Sequence, residues 1–360
     1  MKGECSLKSF GLWYLLGENA TDLPETELHV NFWSIEDCQS AESGKLPCLD
    51  IGIKIRKCRR IDQLTFFCPF QIEKNDIMDL SDKISAKSNA SIIFNVDCET
   101  HTKDHYNMIE LLGKEKLLVF PFVQTIEDTY SLDTDQYGTK LKFKFKNLWT
   151  YADSKWNAGE FDAVYIRFRL KGTELKRNIY FDSEPLNKSF ESAFPGTRII
   201  DFKINVKRDI DENVRTKVVI NGERWGDLKR VHFLVMEPSS YDVNAFDDQK
   251  MSCRELEEDL WDDYLGMHIN FSKGHILAYH WRQINVSAGY NCLVKVNYSK
   301  TKVRTICAYA MIVIALGIIG SAAVTAVSIW KPGSLAAMAL CAGAGVLMIG
   351  AGVIIGKESA

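Results

Sequence analysis

Two long runs without a charged residue close the sequence, and they constrain its folding more than any other feature. Ile306 to Trp330 reads ICAYAMIVIALGIIGSAAVTAVSIW, and Ser334 to Gly356 reads SLAAMALCAGAGVLMIGAGVIIG. Only Lys331-Pro332-Gly333 separates them. A helix needs about 20 apolar residues to cross a bilayer core, and both runs reach that length. In lipid every backbone polar group must be satisfied within the segment, which favours helices. The expected architecture is therefore a large region, residues 1–299, followed by a two-helix membrane hairpin in residues 300–360, with spans 306–330 and 334–356.

Charge sets the expected orientation. Lys295, Lys300, Lys302 and Arg304 precede the first run, the turn carries Lys331 alone, and Lys357 is balanced by Glu358. Basic residues flanking a span stay on the cytoplasmic side. This predicts a two-span protein of the cell inner membrane with both termini cytoplasmic. The apolar stretch Phe10 to Leu16 follows Glu4 and has no clear small-residue cleavage site, so it reads as a strand or short helix rather than a signal peptide. The ten cysteines contain no CxxC pair, so no zinc ribbon or thioredoxin-type site is indicated. Triplets for N-glycosylation, at Asn19, Asn89, Asn187, Asn270, Asn285 and Asn297, matter only if this region is lumenal.

Residues 1–299 read as mainly β, a sandwich-like arrangement of one or two packed sheets with few short helices. Ile51, Ile53 and Ile55 alternate with polar or small residues, as do Leu141, Phe143 and Phe145, Val164 to Leu170, and Ile200 to Val206. Each pattern predicts one face on a core and one in solvent. Asn221-Gly222 between Lys217–Ile220 and Glu223–Trp225 predicts a hairpin. Ser91 to Val96, Leu117 to Val123 and Val231 to Met236 read as more fully buried strands. Helices are expected over Asp76 to Ala86, Asp104 to Leu112 and Glu255 to Leu265. The polar, aromatic stretch 149–159 is a candidate internal boundary.

Catalytic chemistry is sparse. There is no GxxxxGK[ST] loop, no GxSxG elbow and no HExxH. Cys98, His101 and His105 have a spacing that could gather three metal ligands, although a closed zinc site takes four. His268, His275 and His280 fit no common ligand spacing. No cofactor and no enzymatic activity are expected. The basic faces carry more information. Lys140, Lys142, Lys144 and Lys146 occupy one side of one expected strand, and Arg167, Arg169 and Lys171 one side of another. If these strands pair, a cationic face bordered by aromatic residues results. Such a face suits nucleic acid or another anion.

The uncharged runs are rich in small residues: Gly317, Gly320, Ala322 and Ala326 in the first, Ala339, Gly343, Gly352 and Gly356 in the second. Small residues at four-residue spacing permit close helix packing in lipid. With the hairpin 306–356 and the β-rich region before it, the architecture resembles the two-helix membrane effectors of bacterial anti-phage systems, such as those attached to retrons or to cyclic-nucleotide signalling operons. That resemblance implies antiviral defence by abortive infection: a toxin-like effector whose hairpins form an oligomer and permeabilise the lipid bilayer. It also implies a homo-oligomer and a protein or nucleic-acid inhibitor or trigger encoded nearby. Two other readings stand beside it: a non-toxic membrane-anchored binding or structural module, and an anchored hydrolase with an unrecognised site.

Overall fold

The alternating stretches become strands, and those strands build three sheets. The computed structural model describes residues 8–18, 24–34, 47–103, 106–112, 115–121, 129–155, 161–183, 195–245, 251–257, 260–266, 275–299 and 303–328, with scattered residues between 339 and 350. In chain order the elements begin with β1 (Gly11–Leu16), β2 (Glu25–Trp33), β3 (Cys48–Arg56), β4 (Ile61–Cys68), β5 (Ile77–Asp79), α1 (Ser81–Ile84) and α2 (Lys87–Phe94). Then come β6 (Cys98–Lys103), β7 (Tyr106–Leu111), β8 (Glu115–Val119), β9 (Tyr130–Asp135), β10 (Gly138–Lys144), α3 (Phe145–Lys155) and β11 (Ala163–Leu170). They continue with α4 (Thr173–Ile179), β12 (Tyr180–Ser183), β13 (Pro195–Ile204), α5 (Glu212–Ile220), β14 (Arg224–Trp225), β15 (Leu228–Pro238) and β16 (Asp242–Ala245). The last are β17 (Met251–Glu255), α6 (Leu260–Leu265), β18 (Ile276–Val286), β19 (Tyr290–Ser299) and α7 (Val303–Ser328).

The largest sheet has ten strands and runs β17-β18-β15-β2-β3-β11-β8-β7-β6, with β5 also pairing β11. Most neighbours are antiparallel, but β2 lies parallel to β15, and β11 parallel to β8. A five-stranded sheet runs β14-β1-β4-β10-β9, and a four-stranded sheet β12-β13-β19-β16. One apolar face of the large sheet, with Leu28, Val30, Phe32, Ile51, Ile53, Ile166 and Phe168, shares a core with Phe66, Phe143 and Phe202 from the other sheets. Its opposite face does not look into solvent as alternation alone predicts. Leu80 just before α1, Ile84 of α1, Ala90 of α2, and Trp261, Tyr264 and Leu265 of α6 pack over Trp33, Cys48, Tyr165 and Met236. Trp261, Tyr264 and Leu265 stand three and four positions apart, the spacing that brings side chains onto one helical face.

Several local readings change for identifiable reasons. Lys217–Ile220 is the end of α5, not a hairpin strand. Asp211 caps that helix by accepting from the Asn213 N–H, and Val214 and Val218, one turn apart, bury against Trp13 and Phe67. Asn221 and Gly222 then terminate it, Gly222 at a positive φ of 69°. Ser91 to Phe94 is helical, within α2, which ends at Asn95 in the left-handed region. The helix expected over Asp76 to Ala86 is split into β5 and the one-turn α1. Residues 106–111, expected to be helical, form β7 between β6 and β8, because both neighbours offer ladder partners.

The chain divides into two compact units, one of Met1–Phe181 with Arg198–Val296, the other of Asp182–Thr197 with Asn297–Ala360. The boundary expected at 149–159 lies inside the first unit, in and after α3.

The membrane hairpin is a correction. Among the described residues no helix is long and apolar enough to cross a membrane. The first run does form α7, although several of its side chains lie outside the described residues. Most of the second run lies outside the described residues and no helix with defined bounds is described there. The fold class is therefore mainly β, with no transmembrane helix among the described residues, and the expected two-span inner-membrane localisation is not supported. Within α7, Val313, Leu316 and Val324 are exposed. A Cβ at Gly317, Gly320 or Gly343 would meet nothing, whereas Gly345 lies close against Ile319. Ala339 is exposed; the side chains of Ala322 and Ala326, and Gly352 and Gly356, lie outside the described residues.

Candidate functional site

The covered face of the large sheet is polar along its middle, and register explains how. His232 of β15 stands beside His29 of β2, His29 beside Gly52 of β3, and Gly52 beside Arg167 of β11. One row of side chains thus crosses four strands. Two residues along each strand lie Glu27, Lys54, Tyr165 and Arg230 on one side, and Asn31, Asp50 and Arg169 on the other, because side chains on one face recur every second residue. Gly52 belongs there for space: a Cβ would overlap the Tyr165 hydroxyl and press on Arg167 Nη1.

The Asp50 end of this face is a closed polar network. The carboxylate is fully buried and accepts from Arg169 Nε at 2.6 Å and Nη2 at 3.0 Å, from Trp33 Nε1 at 3.0 Å and from the Tyr264 hydroxyl at 2.8 Å. Burial pushes the Asp50 carboxyl up, but the charge and hydrogen bonds of Arg169, with Arg167 and Tyr264, hold it below the usual carboxylate value. Arg167 is also fully buried, and it is held differently. Two hydroxyls accept from it, Tyr264 from Nε at 2.7 Å and Tyr165 from Nη1 at 2.9 Å. Tyr165, accepting from Arg167, has its own proton free for His29 Nδ1, 3.3 Å away.

The histidine end opens into a cavity of about 650 Å³. Glu27, His29, Lys54, Arg56, Glu115, Arg230 and His232 line it, with Phe94, Val96 and Leu111 as its apolar part. Glu25, Lys57 and Asp162 stand at its more exposed rim. The charged lining is paired. Lys54 meets Glu115, and Arg56 bridges Glu115 and Glu27, each at 2.6 Å. Burial raises the Glu27 carboxyl, but Arg56 and Lys54 outweigh it and hold the group low. Arg230 is the exception. Its Nη1 is 3.6 Å from Glu27, and its Nε is buried with no hydrogen-bond partner among the described residues.

Three imidazoles meet at this end. His232 and His280 stack at 5.1 Å between centroids, 12° apart, with Nδ1 of one 3.0 Å from Nε2 of the other. His29 stands edge-on to His232, centroids 5.2 Å apart. Burial, followed by the charges of His280, Arg230 and Arg282, brings the His232 imidazole down to about 4. Burial, His232, Arg167, Lys54 and Arg230 push His29 well below its ordinary value. His280 is lowered by burial, Arg282 and Arg254. All three are neutral near pH 7, as hydrogen-bond donors or acceptors rather than charges.

The residues singled out in the sequence are distributed otherwise. Lys140, Lys142 and Lys144 sit on β10 in the five-stranded sheet, and Arg167 and Arg169 on β11 in the ten-stranded sheet, so no shared cationic face forms. Lys140 pairs with Asp135 and Lys142 with Asp133, each at 3.1 Å across the β9–β10 hairpin. Lys146 lies on α3 and Lys171 just beyond β11. Cys98 is buried, its thiol on the Val96 carbonyl, while His101 is exposed; three positions apart on β6, they point to opposite faces. His105 lies outside the described residues. The side chains that do approach one another there are Glu99, His101 and Glu110, largely exposed.

Sequence reasoning missed His29 and His232 because nothing local links them. They meet only through the parallel β2–β15 pairing, and the sole trace in the sequence is a polar residue at alternate positions of otherwise apolar strands. No protein-family model and no curated protein matches this chain, so what the cavity does rests on its own geometry.

Proposed function

We propose that the protein is a binding module for a small polar molecule, held in the cavity on the covered face of the large sheet. The observation that carries this reading is an open cavity of about 650 Å³ whose charged lining projects mainly from strands β2, β3, β8 and β15. That volume lies in the range of about 300 to 1,000 Å³ usual for ligand pockets. Side chains anchored on a sheet need little reordering when a ligand arrives, which lowers the entropy lost on binding. The lining is more polar than that of a pocket for a greasy ligand, which favours a molecule rich in hydrogen-bonding groups.

The effector reading is not carried forward, because its killing step needs membrane-crossing hairpins. Of the alternatives, the binding module is the one carried forward, without its anchor.

A thermal-shift screen of a small polar compound library tests the reading. Some compounds should raise the melting temperature of the parent and leave Val96→Trp, in which an indole fills the cavity, unmoved. Equal stabilisation of both proteins, or none of the parent, overturns it.

A further inference from the structure

Resting on that reading, we propose that the ligand carries a compact anion, of the phosphate or carboxylate type, seated beside Arg230, Lys54 and the His29–His232 pair. Three features converge there. Arg230 has a buried Nε with no acceptor among the described residues, and Glu27, its nearest acid, already accepts from Arg56 at 2.6 Å. A buried donor without a partner is costly, and a ligand oxygen would satisfy it. Second, the inner wall is cation-rich: Lys54, Arg56 and Arg230 face Glu27 and Glu115, the rim adds Lys57 against Glu25 and Asp162, and behind the wall Asp50 holds Arg169 while Arg167 is held by two tyrosine hydroxyls. Third, His29 and His232 are neutral, so each can donate an N–H to an oxygen without requiring a counter-charge of its own.

The opposite ligand charge fits poorly. A cationic group would need a free carboxylate, but Glu27 and Glu115 are both occupied by Arg56, and Glu115 by Lys54 as well. Glu25 at the rim is taken by Lys57 at 2.8 Å, and Asp162 accepts the Lys116 N–H. Burial does most to keep these imidazoles unprotonated; the neighbouring cations act in the same direction, and those charges favour an anion.

Isothermal titration of the full chain with phenyl phosphate, benzoate, benzyl alcohol and benzylamine separates the cases. At least one acid should bind, with the alcohol and amine at least about tenfold weaker. Arg230→Met should weaken that acid by about tenfold or more, the loss expected for one charge-assisted hydrogen bond. Arg230→Lys should keep part of the affinity, and Val96→Trp should block every probe. Whichever acid binds more tightly assigns the anion as phosphate or carboxylate. Circular dichroism and an unchanged melting temperature establish that Arg230→Met is folded, as its half-exposed side chain leads one to expect. Alcohol or amine binding as tight as that of the acids, blocked by Val96→Trp, overturns the anion seat while leaving the cavity reading intact. Unchanged acid affinity in Arg230→Met does the same. If no probe binds the parent the anion seat is overturned, and the cavity reading stands or falls on the library screen.

Discussion

Strands β10 and β11 carry the same kind of pattern, basic residues alternating with large apolar ones, yet their charges live in opposite worlds. On β10, Lys140 and Lys142 reach across a two-strand hairpin to Asp135 and Asp133, and Lys142 and its partner are 30% and 50% exposed. On β11, Arg167 and Arg169 are sealed beneath α6, with Tyr264 and Asp50 as partners. What distinguishes them is the cover, not the strand. Helices fold over one sheet face, and a charged side chain caught there must find a complete set of partners. Guanidinium groups suit this because they offer several directed donors at once, whereas an ammonium does better near water.

The sharpest way to break the comparison is Asp50→Ala. Removing the carboxylate leaves Arg169 buried without its counter-charge and strips partners from Trp33 and Tyr264. The expected loss is about 3 to 5 kcal/mol, read from denaturant unfolding. A loss below about 1 kcal/mol would mean that water reaches the network and that β11 is no different from β10. Next comes Gly52→Ala. The new methyl must displace the Tyr165 hydroxyl, and the expected cost is about 1 to 3 kcal/mol, typical of overpacking. Because Tyr165 holds His29, the imidazole resonances of His29 should move in NMR spectra even where stability changes little.

A smaller effect concerns acidity. His232 in the folded protein takes up a proton only near pH 4, whereas the unfolded chain takes it up near 6.5. The unfolded state therefore binds more protons in that window, and stability falls as pH drops through it. His29 and His280 are lowered too and act in the same direction. Asp50 and Glu27, held low, add their share only below the ordinary carboxylate range. Melting temperatures from pH 7 to 4.5 should decline in the parent and decline less steeply in His232→Phe. Parallel curves would show that this imidazole is not withheld from protonation. The smallest effect belongs to the solvent side: Lys142→Met should change stability by no more than about 0.5 kcal/mol, since exposed ion pairs contribute little. A larger change would make the β10 lysines structural after all.

Alternation made β3, β10, β11 and β13 legible in advance, because a period of two sustained over several residues fits a strand and cannot line up one face of a helix. Short apolar runs were legible only in part: Val231–Met236 lies in β15 and Leu117–Val119 in β8 as expected. Ser91–Phe94 and Lys217–Ile220 have strand-like composition but are helical, since each lies where burial recurs at helical spacing or a cap starts the helix. The cavity could not be read at all. His29, Lys54, Arg230 and His232 are ordinary residues in sequence, and they gain meaning only from pairings between distant strands. The covering of the polar face depends on α6, a helix of six residues whose role rests on Trp261 and Tyr264.

The parallel seam between β2 and β15 also imposes a schedule. Both strands are central to the large sheet, but residues 34–227 separate them. At translation rates of about 5 to 20 residues per second, β2 waits on the order of ten to forty seconds after leaving the ribosome before its neighbour exists. Throughout that interval one flank of Glu25–Trp33 offers unclaimed amide and carbonyl groups beside Val30, Phe32 and Trp33. The nascent chain is most exposed to wrong partners then, so helper chaperones would matter early in synthesis and little once Pro238 has emerged.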